Sequence, residues 1–136
     1  MIHDRATQLR DFAARYTEAW CSHDAARVAS FFSPNGSLVI NGGAPAVGRN
    51  AIAEAAQGFM TDFPDLKVSM DDLLDQDEKV IYKWTLEGSN TGPGGTGHRV
   101  RISGFEEWRI GADGLIAESQ GHFDSEEYQR QLGHGV

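Results

Sequence analysis

Between His98 and Ile110 the chain alternates at period two, and Glu106 falls in the middle of the apolar side. His98, Val100, Ile102, Gly104, Glu106, Trp108 and Ile110 share one face; Arg99, Arg101, Ser103, Phe105, Glu107 and Arg109 share the other. The first set reads as a strand face turned inward. A carboxyl group on such a face is costly unless it is paired, hydrogen-bonded or protonated. Glu106 is therefore either a satisfied structural group or an acid-base group.

The next strand offers the partners that acid-base chemistry would need. Ile116, Glu118, Gln120, His122 and Asp124 lie on one side of it. Two registers are open across the intervening turn at Asp113-Gly114. One sets Gln120 opposite Glu106 and gathers Glu106, Gln120, His122 and Asp124 into one cavity. The other sets Ser119 there and turns the polar set to solvent. In the first register, burial and mutual proximity would move the pKa values of these groups toward neutrality, as general acid-base work requires. His122 and Asp124 also have a spacing seen in metal sites. No third ligand is near them and Cys21 is distant, so no metal is expected.

These groups need elements to hold them. Asp4 can cap a first helix whose stripe is Leu9, Phe12, Ala13, Tyr16, Ala19 and Trp20. Tyr16 is thus either a core tyrosine with a satisfied hydroxyl or a donor aimed into a pocket. Asp24 can cap a short second helix ending near Phe32, and Asn50 a third that Pro64 ends. Ser33 to Gly36 reads as a turn, Ser37 to Asn41 as a short strand, and Gly42 to Gly48 as a loop. Strands follow around Leu66 to Leu74, Val80 to Leu86, His98 to Ile110 and Leu115 to Asp124. Ser125 can cap a last turn of helix, closed by Gly133. The order predicts an α+β domain over residues 1–136, with three N-terminal helices packed on a strongly curved antiparallel sheet that encloses a pocket. Trp20, Phe59, Trp84, Trp108 and Gln120 are the expected lining, suited to a flat apolar ligand.

Composition narrows the function. The formal net charge of -8 over 136 residues argues against nucleic acid and against anionic membrane surfaces. A single cysteine allows no internal disulfide and fits a reducing compartment. No apolar run approaches the roughly 20 residues of a spanning helix, and the polar stretch from Met1 to Arg10 has no signal-peptide core. The expectation is a cytoplasmic protein. The Gly92 to Gly97 loop lacks a Gly-Lys-Ser/Thr ending and no helix follows it, so it reads as a hairpin loop and not a phosphate cradle.

Ala14-Arg15-Tyr16 with Asp24 and Phe31-Phe32, Gly48-Arg49, Phe63-Pro64-Asp65-Leu66, Thr91-Gly92-Pro93, Trp108-Arg109-Ile110, Asp113 to Ile116, and Asp124 followed by Gln131-Leu132-Gly133 fall in an order that spans nearly the full chain. Taken together, these segments resemble the NTF2-like superfamily. Within it the chain looks most like the SnoaL-like polyketide cyclases and, more distantly, the ketosteroid isomerases. The resemblance implies a cone-shaped α+β fold and a cofactor-free enzyme acting next to a carbonyl. Ketosteroid isomerases combine a Tyr donor, a neutral acid donor and an Asp base. Tyr16 and Glu106 match the two donors, but the base position falls on Ile40, so isomerase activity of that kind is not expected. The cyclase likeness puts the acid/base residue at Asp124, with His122 beside it. No counterpart is found for the Asp-Arg-Asp set of the superfamily's epoxide hydrolases. The expected catalytic set is then His122, Asp124, Glu106 and Tyr16, acting on a small apolar carbonyl compound. The alternative is a non-catalytic ligand-binding or dimeric accessory module. A homodimer is expected through an outer sheet face carrying Phe105 and Ile81.

Overall fold

Three aspartates start three of the four helices in the computed structural model, which describes residues 4–136. Asp4 accepts from the Thr7 N–H at 2.8 Å and opens α1, Arg5–Cys21. Asp24 accepts from the Arg27 N–H and opens α2, Ala25–Ala29. Asp124 accepts from the Glu127 N–H at 3.0 Å and opens α4, Ser125–His134. Each side chain satisfies an N–H that a helix start leaves without a partner. The remaining helix, α3 (Arg49–Asp62), has no side-chain cap. It begins after Gly48, whose φ of 87° is open to glycine, and Asn50 already lies inside the first turn. Part of the Met1 to Arg10 stretch, residues 1–3, lies outside the described residues.

Six strands form one open sheet: β1 (Phe32–Ile40), β2 (Ala46–Val47), β3 (Lys67–Asp75), β4 (Val80–Ser89), β5 (Arg99–Ile110) and β6 (Ile116–Phe123), in the order β2-β1-β6-β5-β4-β3. The meander β3 to β6 follows the alternation in the sequence. Several features differ from the expectation. β2 pairs with β1 inside the stretch read as the Gly42 to Gly48 loop, and α2 ends at Ala29, leaving Phe32 to open β1. The sheet is mixed, because β1 lies parallel to β6. Hairpins force antiparallel pairing between neighbours in sequence, whereas β1 and β6 are joined through most of the chain. The Ser33 to Gly36 turn is absorbed into β1 as an irregularity between Phe32 and Ser37. The fourth helix runs beyond Gly133, and Gly135, at φ 81°, stops it with its N–H on the Gln131 carbonyl.

Hydrophobic burial drives α1 onto the inner face of the sheet. Tyr16 meets Trp108 edge-on at 5.2 Å and Tyr82 at 5.4 Å, while Tyr82 stacks on Trp108 at 4.8 Å. Such pairs contribute roughly 0.5–1.5 kcal/mol each beyond the area they bury. Tyr16, Phe32, Tyr82 and Trp108 are all buried, so this end of the sheet is filled.

Where β4, β5 and β6 cross beside Trp84, only glycine fits. A Cβ on Gly104 would collide with the His122 carbonyl oxygen and stand 2.7 Å from Trp84 Cζ2. Gly104→Ala should therefore cost about 1–3 kcal/mol, the usual range for overpacking. Urea unfolding checks this, and a midpoint equal to wild type would show that the strands have room to part.

Candidate active site

The β5–β6 register decides which side chains meet. Ile110 pairs with Ile116, and an uninterrupted ladder from there would set Gln120 opposite Glu106. The register instead shifts by one residue between Arg109 and Ile110, so that Arg109 pairs with Glu118 and Glu106 with Gly121. A one-residue slip exchanges the two faces of a strand. Ser119, Gly121 and Phe123 consequently turn inward with Trp108, Glu106 and Gly104. Glu118, Gln120 and His122 turn outward with Arg109, Glu107 and Phe105.

This corrects the expected cavity. His122 stacks on Phe105, with ring centres 4.8 Å apart, and its Nε2 lies 3.6 Å from Glu107. Gln120 pairs with Glu107 on the same outer face. Asp124 caps α4. None of the three lines the inner cavity. Phe105 and Ile81, expected at a dimer surface, are half-buried among these charges.

Glu106 is where the sequence places it, and its surroundings are dense with donors. The Tyr16 hydroxyl stands 3.1 Å from both carboxylate oxygens. Trp108 Nε1 donates to Oε1 at 3.0 Å, and the Ser119 hydroxyl donates to the same oxygen at 2.6 Å. Three elements, α1, β5 and β6, thus converge on one carboxyl group. Only the shared Tyr16 contact reaches Oε2, so that oxygen keeps spare acceptor capacity. Glu106 is 7 % exposed. Burial raises its pKa above the ordinary glutamate value, and the three hydrogen bonds from Ser119, Trp108 and Tyr16 oppose that rise without cancelling it. Tyr16 is fully buried, and both its burial and the neighbouring Glu106 charge hold its hydroxyl protonated. Tyr82 lies beside it with its hydroxyl on Thr17.

Glu106 borders an apolar cavity of about 60 Å³. Trp20, Phe59, Tyr82, Trp84, Phe123 and Tyr128 supply six aromatic rings, and Leu38, Ile40, Leu86 and Ile102 much of the remaining wall. Of the expected lining, Trp20, Phe59 and Trp84 are present. Trp108 is fully buried and serves as a donor to Glu106 instead. Tyr128 comes from α4, the helix that Asp124 starts, and Ser119 completes the carboxyl's donor set; sequence reasoning missed both. The observed register is neither of the two expected: it sets Gly121 opposite Glu106, and it turns Ser119 inward and the polar set outward as the second register would. Ile40 lines the wall as an apolar residue, and the neighbouring Asn41 accepts from the Phe123 N–H. Among the described residues no group of three or more His, Cys, Asp or Glu side chains could hold a metal ion, and no helix is long and apolar enough to cross a membrane.

The comparisons with known proteins agree with this architecture. The family model of the SnoaL-like domain matches residues 13–119. The chain belongs to the SnoaL-like domain family. Solved structures share the fold of this SnoaL-like domain at low identity. A protein assigned as a SnoaL-like polyketide cyclase from Jannaschia sp. CCS1 superposes with a TM-score of 0.83 at 16 % identity, covering 100 % of this chain and 99 % of its own. TsrD from Streptomyces laurentii gives 0.81 at 22 %, covering 97 % and 98 %. A protein of ketosteroid isomerase-like fold from Catenulispora acidiphila DSM 44928, solved in complex with trimethylamine, gives 0.79 at 15 %, covering 90 % and 92 %. At these identities the likeness establishes the fold of the SnoaL-like domain and no more. None of the curated proteins matches the sequence.

The raised pKa of Glu106 makes a stability prediction. Between the ordinary glutamate pKa and the raised folded value, the folded state binds a proton at Glu106 that the unfolded state does not. Its contribution is therefore full below the unfolded pKa and is lost as pH rises through the folded one. Glu106→Gln keeps the shape and cannot ionise. It should flatten the loss of stability on going from acid to neutral pH. Chemical unfolding of both proteins at a series of pH values measures this. Parallel stability–pH curves would show that Glu106 titrates alike in the folded and unfolded states.

Proposed function

We propose that this SnoaL-like protein binds a small apolar carbonyl compound and moves a proton at the carbon beside the carbonyl, with Glu106 as the proton carrier. The supporting observation is that Glu106 is the only carboxyl group among the residues lining the aromatic cavity, with three fixed donors behind it. Tyr82 and Tyr128 are the other ionisable lining groups, and burial pushes both hydroxyls toward staying protonated.

The role expected of His122 or Asp124 passes to Glu106 in this reading. Its carboxylate takes the proton, and the C–H electron pair moves into the carbonyl to give an enolate. The resulting carboxylic acid then returns the proton. Returned to carbon, it gives an isomerised or exchanged product. If the enolate first attacks a second carbonyl of the same molecule, the proton goes to the new alkoxide and a ring closes, as in an intramolecular aldol addition. Either cycle restores Glu106 with atoms and charge balanced. Tyr16, Trp108 and Ser119 are positioning residues: they orient the carboxyl and set its proton affinity. A carboxyl pKa raised by burial moves toward the range where one group both accepts and gives a proton effectively.

A second reading is a non-catalytic ligand-binding module. It is favoured by the enclosure of the Tyr16 hydroxyl, which has no surface on the cavity and so cannot itself bond to a ligand carbonyl there.

Deuterium exchange separates the two. A small aryl methyl ketone in deuterated buffer should exchange its acidic C–H faster with wild type than with buffer alone. Glu106→Gln should slow the protein-catalysed rate by about 100-fold or more, the scale of one acid-base group. Tyr16→Phe removes a donor that favours the charged form, so its rate should rise at higher pH than wild type. Exchange at the buffer rate in wild type, with the ketone shown to be bound, would select the binding module.

A further inference from the structure

As it stands, the cavity is too small for a ring. Its free space is about 60 Å³, whereas an apolar cavity of about 150 Å³ accommodates benzene. A flat apolar ligand therefore enters only if part of the wall moves. The wall elements differ in how firmly they are held. The strands are fixed by the ladder of the sheet. Helix α1 buries six residues, Trp20 among them, and α3 buries Ile52, Ala56 and Met60. Helix α4 buries one residue, and it is a polar one, Gln131. An element with so little buried apolar surface opens at the lowest free-energy cost.

The attachment of α4 has the parts of a hinge and a latch. Asn41 Oδ1 accepts from the Phe123 N–H at 2.9 Å and fixes the end of β6. The next residue, Asp124, is exposed and lies outside the β5–β6 ladder. A change of φ and ψ there swings the helix without parting the strands. Two turns further on, Gln131 Oε1 accepts from the Arg101 N–H at 2.7 Å, in a part of β5 that β6 does not reach. Among the described residues, that is the one hydrogen bond joining α4 to the sheet. The Gln131 Nε2 donates to Glu127 of the same helix at 2.7 Å, which orients the carboxamide.

Between hinge and latch, Tyr128 is the only lining residue that α4 supplies. Its ring meets Phe123 edge-on at 5.4 Å and Phe63 at 6.4 Å. Its hydroxyl has no hydrogen-bond partner among the described residues, so no polar contact holds the ring in. Swinging that ring out frees roughly the space of one benzene ring beside the existing cavity. We propose that α4 is the door of this cavity, with Tyr128 holding the place of a ligand's aromatic ring and Gln131 latching the door to β5. The ligand class is a compound with a single aromatic ring, which takes over the contacts with Phe63 and Phe123. Tyr128 is then a specificity-determining residue, because a ligand enters by replacing its packing. Like the proposed function, the inference rests on the cavity being a ligand site. It does not rest on proton transfer.

Toluene provides the test, since it has one ring, no polar group and no carbonyl. NMR on the full chain with millimolar toluene should show binding and loss of the contacts of the Tyr128 ring with Phe63 and Phe123. Hydrogen exchange at the Arg101 N–H should become at least about tenfold faster, while the amides of the β4–β5 ladder keep their protection. Gln131→Met keeps the bulk without the hydrogen bond and should speed toluene association about fivefold, the weight of one hydrogen bond. Tyr128→Ala vacates the ring site and should tighten toluene binding at least about tenfold, because the closed form no longer competes. The contact and exchange measurements need only wild type, so they stand even if a variant fails to fold. Toluene bound with the Tyr128 contacts and the Arg101 exchange rate unchanged would overturn the proposal, as would failure of toluene to bind wild type at millimolar concentration. None of these readings involves ketone C–H exchange, so failure of the door and failure of the proton transfer are told apart.

Discussion

The Glu106 carboxyl group is the constraint around which the inner side of this domain is organised. A carboxyl brought into an apolar interior carries a desolvation cost that hydrogen bonds must offset. Here the offset comes from α1 through Tyr16, from β5 through Trp108 and from β6 through Ser119. Each donor has a second duty. Tyr16 and Trp108 are among the largest fully buried side chains, and Ser119 sits opposite Trp108 in the β5–β6 ladder. The packing of the helix on the sheet and the satisfaction of the carboxyl are therefore one arrangement. No buried side-chain nitrogen or oxygen among the described residues lacks a hydrogen-bond partner.

That arrangement divides the domain into a filled end and an open one. Toward Trp108 the interior is closed by Tyr16, Phe12, Phe31 and Tyr82 in edge-on and stacked contacts. On the other side of Glu106 lie smaller or apolar groups: Gly121, Ile40, Leu38 and the rings of Trp20, Phe59 and Trp84. Gly121 is directly opposite Glu106, and the absence of a side chain there leaves space next to the carboxyl. The pocket is thus a consequence of where bulk is withheld. The same carboxyl group terminates the core and begins the site.

The outer face obeys different physics. Glu107, Arg109, Glu118 and His122 are exposed enough to be solvated, and their pairs, such as Arg109 with Glu118 at 3.2 Å, are surface interactions of small energetic weight. A histidine held this way needs no unusual environment. His122 and Asp124 attract notice in the sequence because acid-base residues two apart are chemically suggestive. In the fold, one decorates the outer face and the other starts a helix. Through that helix Asp124 still reaches the site, since α4 carries Tyr128 to the cavity wall.

The amino-acid sequence by itself determined the α+β class, the first two helix starts at Asp4 and Asp24, the four-strand meander and the inward direction of Glu106 and Tyr16. These follow from local periodicity and capping, which act over a few residues and leave a readable pattern. The fourth helix was legible as a terminal turn, but its cap and full extent were not. The tertiary structure alone decided the parallel partnership of β1 and β6, because no local rule relates strands so far apart in the chain. It also decided the site. One extra residue in β6 near Ala117 shifts the ladder, and that shift exchanges Gln120 and His122 for Ser119 and Gly121 at the cavity. Both registers satisfy the alternation of the strand. The choice between them is made by what the whole interior can bury: Ser119 beneath Trp108 and Phe123 beside Trp84, with the charged side chains left to water.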